Sequence, residues 1–263
     1  MKYTSAITPG STTLHTSAEG LSHGLITVDA SAGSSLPVYF AAPERGDALP
    51  VVLVVQEIFG LHEHIQDICR RFAHEGYLAI AADLYFRQGR AETYTDIPAL
   101  IGEIVSKVPD EQVMADLDAC VAWAKAHRGN VSKLGVTGFC WGGRITWLYC
   151  AHNPSCRAGV AWYGRLARGH GPLQVRNPVD VADALHAPVL GLYGGRDAGI
   201  EQAEVDQMKS NLRASVARAA QHSEIVVYPE ADHAFYADYR PSYRPADAAD
   251  AWGKALAWFR RYL

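Results

Sequence analysis

A cysteine stands among glycines in Gly138-Phe139-Cys140-Trp141-Gly142-Gly143, between an apolar run at 134–138 and a helical pattern over 142–152. Glycine, any residue, nucleophile, any residue, glycine between strand and helix is the spacing of a nucleophile elbow, here with a thiol in place of the commoner serine. The turn is so tight that only glycine is tolerated at its flanks. It lifts the central side chain to the helix N-terminus, where backbone N–H groups and the helix dipole favour a thiolate and a developing oxyanion. Acyl transfer through a thiol needs a base and an acid to orient it. Leu192-Tyr193-Gly194-Gly195-Arg196-Asp197 closes one apolar run with a carboxylate, and Tyr228-Pro229-Glu230-Ala231-Asp232-His233 closes the next with an imidazole. The order Cys140, Asp197, His233 is nucleophile, acid, histidine, which predicts acyl-transfer chemistry. Gln56-Glu57-Ile58-Phe59-Gly60 follows the continuous apolar run at 51–55. The segment after that strand supplies one oxyanion N–H, so the backbones of Ile58 and Trp141 are the expected donors. Glu57 is a carboxylate at the end of a buried strand, which is costly unless it is paired or functional.

These residues must be held by an alternating chain of strands and helices. LITVD at 25–29 and LPVYFA at 36–41, split by the turn-prone SAGSS at 31–35, read as an antiparallel pair. Apolar runs at 51–55, 77–82, 134–138, 158–163, 188–193 and 224–228 read as strands. Helical spacing recurs at 63–75, 110–127, 142–152, 200–219 and 246–262, with Trp252, Leu256 and Phe259 on the core face of the last. Strand alternating with helix predicts an α/β fold with a mostly parallel central sheet and helices on both faces. Ligands of such sheets sit at the carboxyl ends of the strands, where the chemical residues stand. Residues 1–24 read as an extended arm and 25–263 as a single domain.

The 263 residues are 49% hydrophobic and 20% charged, and the net charge is −4 without a basic run. That excludes a disordered or low-complexity chain and gives no electrostatic footprint for nucleic acid. No apolar stretch is long enough to span a membrane, and the N-terminus lacks the apolar core of a secretory signal. Five cysteines without a C-x-x-C pair read as reduced thiols in a cytoplasmic protein. His62-Glu63-His64 has H-x-H spacing but no further ligand cluster, so no metal is expected. The Gly/Pro-rich stretch 164–178, with Arg165, Arg168, His170 and Arg176, reads equally as a lid or a solvated loop.

The segments QEIFG (56–60), ADLYFRQG (82–89), GFCWGGR (138–144), GLYGGRD (191–197) and YPEADHAF (228–235) together resemble the dienelactone hydrolase, or carboxymethylenebutenolidase-like, family of α/β-hydrolases. With Tyr243 and AADAW at 248–252 the resemblance covers 56–252, and a cysteine elbow paired with a Gln-Glu segment is its specific part. The resemblance implies Cys140 as nucleophile, His233 as general base and acid, and Asp197 as its orienting carboxylate. It implies that Glu57 touches the resting thiol and assists thiolate formation. It implies that Arg87 anchors a substrate carboxylate, that Tyr163 lines the pocket, and that the enzyme is a monomer. The implied reaction is hydrolysis of a small-molecule lactone or ester through an acyl-thioester, without metal or organic cofactor. One departure stands out. The family's second carboxylate-binding arginine, four residues past the histidine, is Ala237 here, and Arg240 and Arg244 are out of register. Two other readings remain open: a general carboxylesterase or thioesterase on uncharged acyl groups, and a non-catalytic redox-sensing protein with Cys140 as its thiol.

Overall fold

The computed structural model describes residues 12–30 and 33–263. The strands are β1 (Leu21–Asp29), β2 (Ser35–Pro43), β3 (Leu49–Val55), β4 (Leu78–Ala82), β5 (Gly129–Phe139), β6 (Cys156–Trp162), β7 (Val189–Gly194) and β8 (Glu224–Tyr228). Between and after them run α1 (Glu63–His74), α2 (Ile97–Glu103), α3 (Asp110–Ala126), α4 (Trp141–His152), α5 (Gln202–Ala214), α6 (Arg218–Gln221) and α7 (Pro245–Tyr262). They build one eight-stranded sheet in the order β1-β2-β4-β3-β5-β6-β7-β8. β1 pairs antiparallel with β2, and β2 with β4, while every pairing from β4 to β8 is parallel. β3 explains its central place: Val51 to Val55 are almost wholly buried, as a strand covered on both faces must be.

Chain order reverses at the middle of this sheet. β3 is followed in space by β4 on one side and β5 on the other, so a crevice opens past the carboxyl ends of β3 and β5. The loop after β3 begins with Gln56 and Glu57, and the loop after β5 is Cys140 itself. The sheet thus brings Glu57 and Cys140, 83 residues apart in sequence, to one edge.

Three expectations need adjusting. β1 starts at Leu21, inside the stretch read as an arm, because Leu21 is buried and pairs with Pro43. The preceding segment is tied down as well: the Thr16 N–H donates to Asp67 on α1 at 2.6 Å, and Arg70 donates to the Thr16 carbonyl at 3.1 Å. The helix expected over 200–219 is two helices, α5 and α6, with the extended residues Ser215 and Ala217 between them. Helix α2 had no sequence expectation; its signal was the Asp96 N-cap with Pro98 in the first turn, and the Asp96 side chain accepts from the Ala99 N–H at 2.9 Å. Residues 1–11 of the expected arm, and 31–32 of the expected turn, lie outside the described residues.

Candidate active site

The elbow is built by backbone crowding. A Cβ on Gly138 would overlap the Gly142 carbonyl, and one on Gly142 would stand 2.5 Å from the Val55 carbonyl oxygen and 2.6 Å from that of Gln56. The glycines therefore let β5, α4 and the end of β3 meet. Cys140 sits at φ 55°, a left-handed conformation that a side chain adopts only under constraint. Its N–H donates to the Trp162 carbonyl at 3.0 Å, which pins the turn to β6. Tyr163 (φ 39°) and Ala234 (φ 62°) share this unusual backbone, and they flank the same crevice.

His233 comes from the loop after β8 and joins both partners. Its Nδ1 lies 2.7 Å from Asp197 Oδ2, and its Nε2 lies 3.2 Å from Cys140 Sγ. Asp197 is buried, and its other oxygen accepts from the Gly199 N–H at 2.8 Å, so both oxygens are occupied and the carboxylate cannot rotate freely. The pKa of His233 is pushed up to about 10: burial works against the charged ring, but the Cys140 sulfur and the Asp197 carboxylate outweigh it. Trp141 is the first residue of α4, so its N–H has no acceptor within the helix. Ile58 lines the cavity that opens beside Cys140.

That cavity has a volume of about 460 Å³. Cys140, Asp197 and His233 line it, and Ile58, Ile97 and Ile101 supply apolar surface. Tyr163 also lines it; its hydroxyl is buried without a hydrogen-bond partner, and its ring meets the His233 ring at 5.2 Å, edge to face. Arg165 and His170 bring the 164–178 stretch into the wall, so this loop is neither detached from the site nor purely a surface feature. Burial and the neighbouring arginines, Arg165 first, lower the His170 pKa to about 3, which leaves that ring neutral near pH 7.

Two sequence expectations meet a different geometry. Glu57 is fully buried but turns to Tyr239, whose hydroxyl donates to Oε2 at 2.6 Å, and to His62, whose Nε2 stands 3.3 Å from the same oxygen. Its pKa falls to about 2: burial opposes ionisation, and the His62 contact leads the groups that overcome it. Burial in turn holds the His62 pKa below that of a free imidazole, so near pH 7 the pair is a carboxylate beside a neutral ring. Arg87 is not in the cavity wall. It makes a paired contact with the fully buried Asp116, at 2.7 and 2.9 Å, and donates to Ser34 at 2.7 Å. Ala237 is likewise wholly buried in the core. Guanidinium groups that do reach the cavity are those of Arg165, Arg196 and Arg240, the last packed over the Phe59 ring at 5.7 Å. Sequence reasoning had set Arg240 aside as out of register; the turn formed where the Ala237 N–H donates to the Ala234 carbonyl changes that register.

A sheet that reverses at β3, a strained cysteine at a helix N-terminus and a histidine–carboxylate pair define the class, an α/β-hydrolase. The match to known proteins is specific. The model of the dienelactone hydrolase family covers residues 36–263. A Salmonella typhimurium protein provisionally named carboxymethylenebutenolidase is 54% identical over 252 residues, 95% of this chain and 92% of that one. A Methylorubrum extorquens protein with the same provisional name is 56% identical over 252 residues, 95% of this chain and 85% of that one. The crystal structure of a provisionally named dienelactone hydrolase from Klebsiella pneumoniae superposes with a TM-score of 0.88 at 56% identity, covering 92% of this chain and 99% of the other. The chain belongs to the dienelactone hydrolase family, and with it to the carboxylic ester hydrolases.

Proposed function

We propose that this chain hydrolyses lactone and ester bonds of small molecules through a thiolate on Cys140. The observation that carries the reading is the unbroken line of Cys140 Sγ, His233 and Asp197 lining one cavity. The strongly raised His233 pKa supports a resting imidazolium beside the Cys140 sulfur. The sulfur attacks the carbonyl carbon and forms a C–S bond, while the Ile58 and Trp141 N–H groups receive the oxyanion. Collapse breaks the C–O bond, and the leaving oxygen, enolate or alkoxide, takes the His233 proton and leaves Nε2 free. Water then gives a proton to Nε2 and its oxygen to the thioester carbon. The C–S bond breaks, the carboxylic acid leaves, and the thiolate returns. These side chains and water complete the reaction without a cofactor.

Glu57 enters as a buried charge rather than as the partner of the thiol. It fixes Tyr239 and lends negative potential to the neighbouring Arg240. All five cysteines are free thiols, which suits a reducing compartment such as the cytoplasm. Hydrolysis of a dienelactone and of phenyl acetate by wild type and Cys140→Ala tests the reading. Wild-type turnover lost in the variant by about a thousandfold or more is the expected result. Retention of activity by Cys140→Ala would sink the mechanism.

A further inference from the structure

Two guanidinium groups face the cavity without an ion pair among the described residues. Arg165, half-buried, donates among those residues to the Gly169 carbonyl alone, at 3.3 Å. Arg240, also half-buried, rests on Phe59 and makes no ion pair among the described residues. The other charges of the wall are accounted for differently. Arg196 is exposed and paired with Glu230, Asp197 is engaged by His233, and Asp232 is exposed at the rim. Glu57 lends Arg240 negative potential, as Glu204 and Asp197 do Arg165, but none of these carboxylates makes an ion pair with either guanidinium among the described residues, which leaves most of their N–H donors for a ligand.

The two cations come from different walls. Arg240 belongs to the segment after β8, next to Tyr239 and against the loop after β3. Arg165 belongs to the loop after β6 and stands by His170 on the 164–178 stretch. The neutral His170 adds no second charge beside Arg165. The same cavity holds the nucleophile, whose sulfur acts on both cations, and the apolar surface of Ile58, Ile97 and Ile101. Each arginine can satisfy one oxyanion through its fork of N–H donors.

We propose that the natural substrate is a dianion with one carboxylate on each side of the scissile bond, one taken by Arg240 and the other by Arg165. The proposal rests on the thiol-hydrolase reading of the same cavity. It makes these two residues determinants of specificity, and it replaces the anchor expected at Arg87, which Asp116 occupies.

Four aryl esters test it: phenyl acetate, phenyl hydrogen glutarate, 4-acetoxybenzoate and the glutarate half-ester of 4-hydroxybenzoate. They carry no carboxylate, one on the acyl side, one on the leaving-group side, and both. The expected kcat/KM rises about tenfold or more with each carboxylate, so the doubly charged ester is best. Arg165→Met is expected to collapse the preference for one carboxylate and Arg240→Met that for the other, each read as the ratio of charged to uncharged ester in the same variant. Phosphonate in place of the acyl-side carboxylate asks whether a phosphoryl oxyanion serves equally; a matching gain would move the assignment of that end from carboxylate to phosphate. Equal kcat/KM for all four esters would overturn the proposal while leaving the hydrolase reading intact. Loss of the same single preference in both variants would also overturn it, since that is one shared clamp. Failure of wild type on every ester would bring down the hydrolase reading itself, and the dianion with it.

Discussion

His233 holds its proton because a sulfur and a carboxylate lie on either side of a ring that is only 31% exposed. A folded-state pKa of about 10 against an ordinary imidazole value fixes the sign of two effects. The stabilisation from the charged ring is complete below about pH 6.5 and is lost as pH rises through the folded value. In the proposed mechanism catalysis follows the same titration, since the imidazolium would deliver the proton to a poor leaving group. The alkaline limb of kcat/KM for an alkyl ester is therefore expected near pH 10, and Asp197→Asn, which removes one of the two anions, moves that limb down. A limb that stays in place in Asp197→Asn would show that the carboxylate does not set this proton's affinity. Arg87 gives a prediction of the opposite kind. Arg87→Met leaves the buried Asp116 uncompensated, which costs about 3–5 kcal/mol, while the cavity loses no group. Urea denaturation is expected to show the loss, with kcat/KM on the folded enzyme within a fewfold of wild type. A variant as stable as wild type that had lost carboxylated substrates would restore Arg87 to the site.

The elbow links three elements, β3, β5 and α4, through contacts that only glycine permits. In Gly142→Ala the new methyl meets the Val55 and Gln56 carbonyls, and the least rigid response is to push the loop carrying Ile58 away from the Trp141 N–H. About 1–3 kcal/mol of stability is expected to go, together with a fall in kcat larger than the change in KM, as loss of an oxyanion donor requires. A pure KM effect would contradict the assignment of those donors. This elbow was legible in the sequence because its chemistry is local: glycine spacing states what the backbone must do. The strands and most helices were legible for the same reason, since their apolar periods repeat within each element. Arg240 was not, because its place depends on how the chain turns between Ala234 and Tyr243. Arg87 was misplaced for a related reason. Its partner Asp116 lies on α3, 29 residues away, and no local pattern in the chain announces that pair.

Across the whole molecule, the rear of the site is a buried polar network that joins the N-terminal segment, α1 and the segment after β8. Asp67 accepts from Thr16 and Arg71, and Arg71 donates in turn to Asp238 at 2.5 Å. Tyr239, the next residue, holds Glu57. Glu57 and Asp238 both have lowered pKa values, against the pull of burial, through His62 and His64 respectively and, for Asp238, Arg71 as well. A carboxylate whose folded pKa is depressed adds stability above its unfolded pKa of about 4, and that stability is lost as pH falls through the folded value. The urea midpoint is expected to fall progressively below about pH 4, and Glu57→Gln is expected to flatten that fall while lowering stability at pH 7. A midpoint unchanged between neutral and strongly acidic solution would show that the network contributes nothing to stability.

The most direct test of the account is the mass of the protein during turnover. Wild type and Cys140→Ala, mixed with an activated aryl ester and quenched in acid within milliseconds, are measured intact and after digestion. The account predicts a single acyl adduct on the peptide containing Cys140, formed in wild type and missing from Cys140→Ala, with deacylation slowed and the adduct accumulating in His233→Gln. An adduct on another residue, or full turnover by Cys140→Ala, would contradict it.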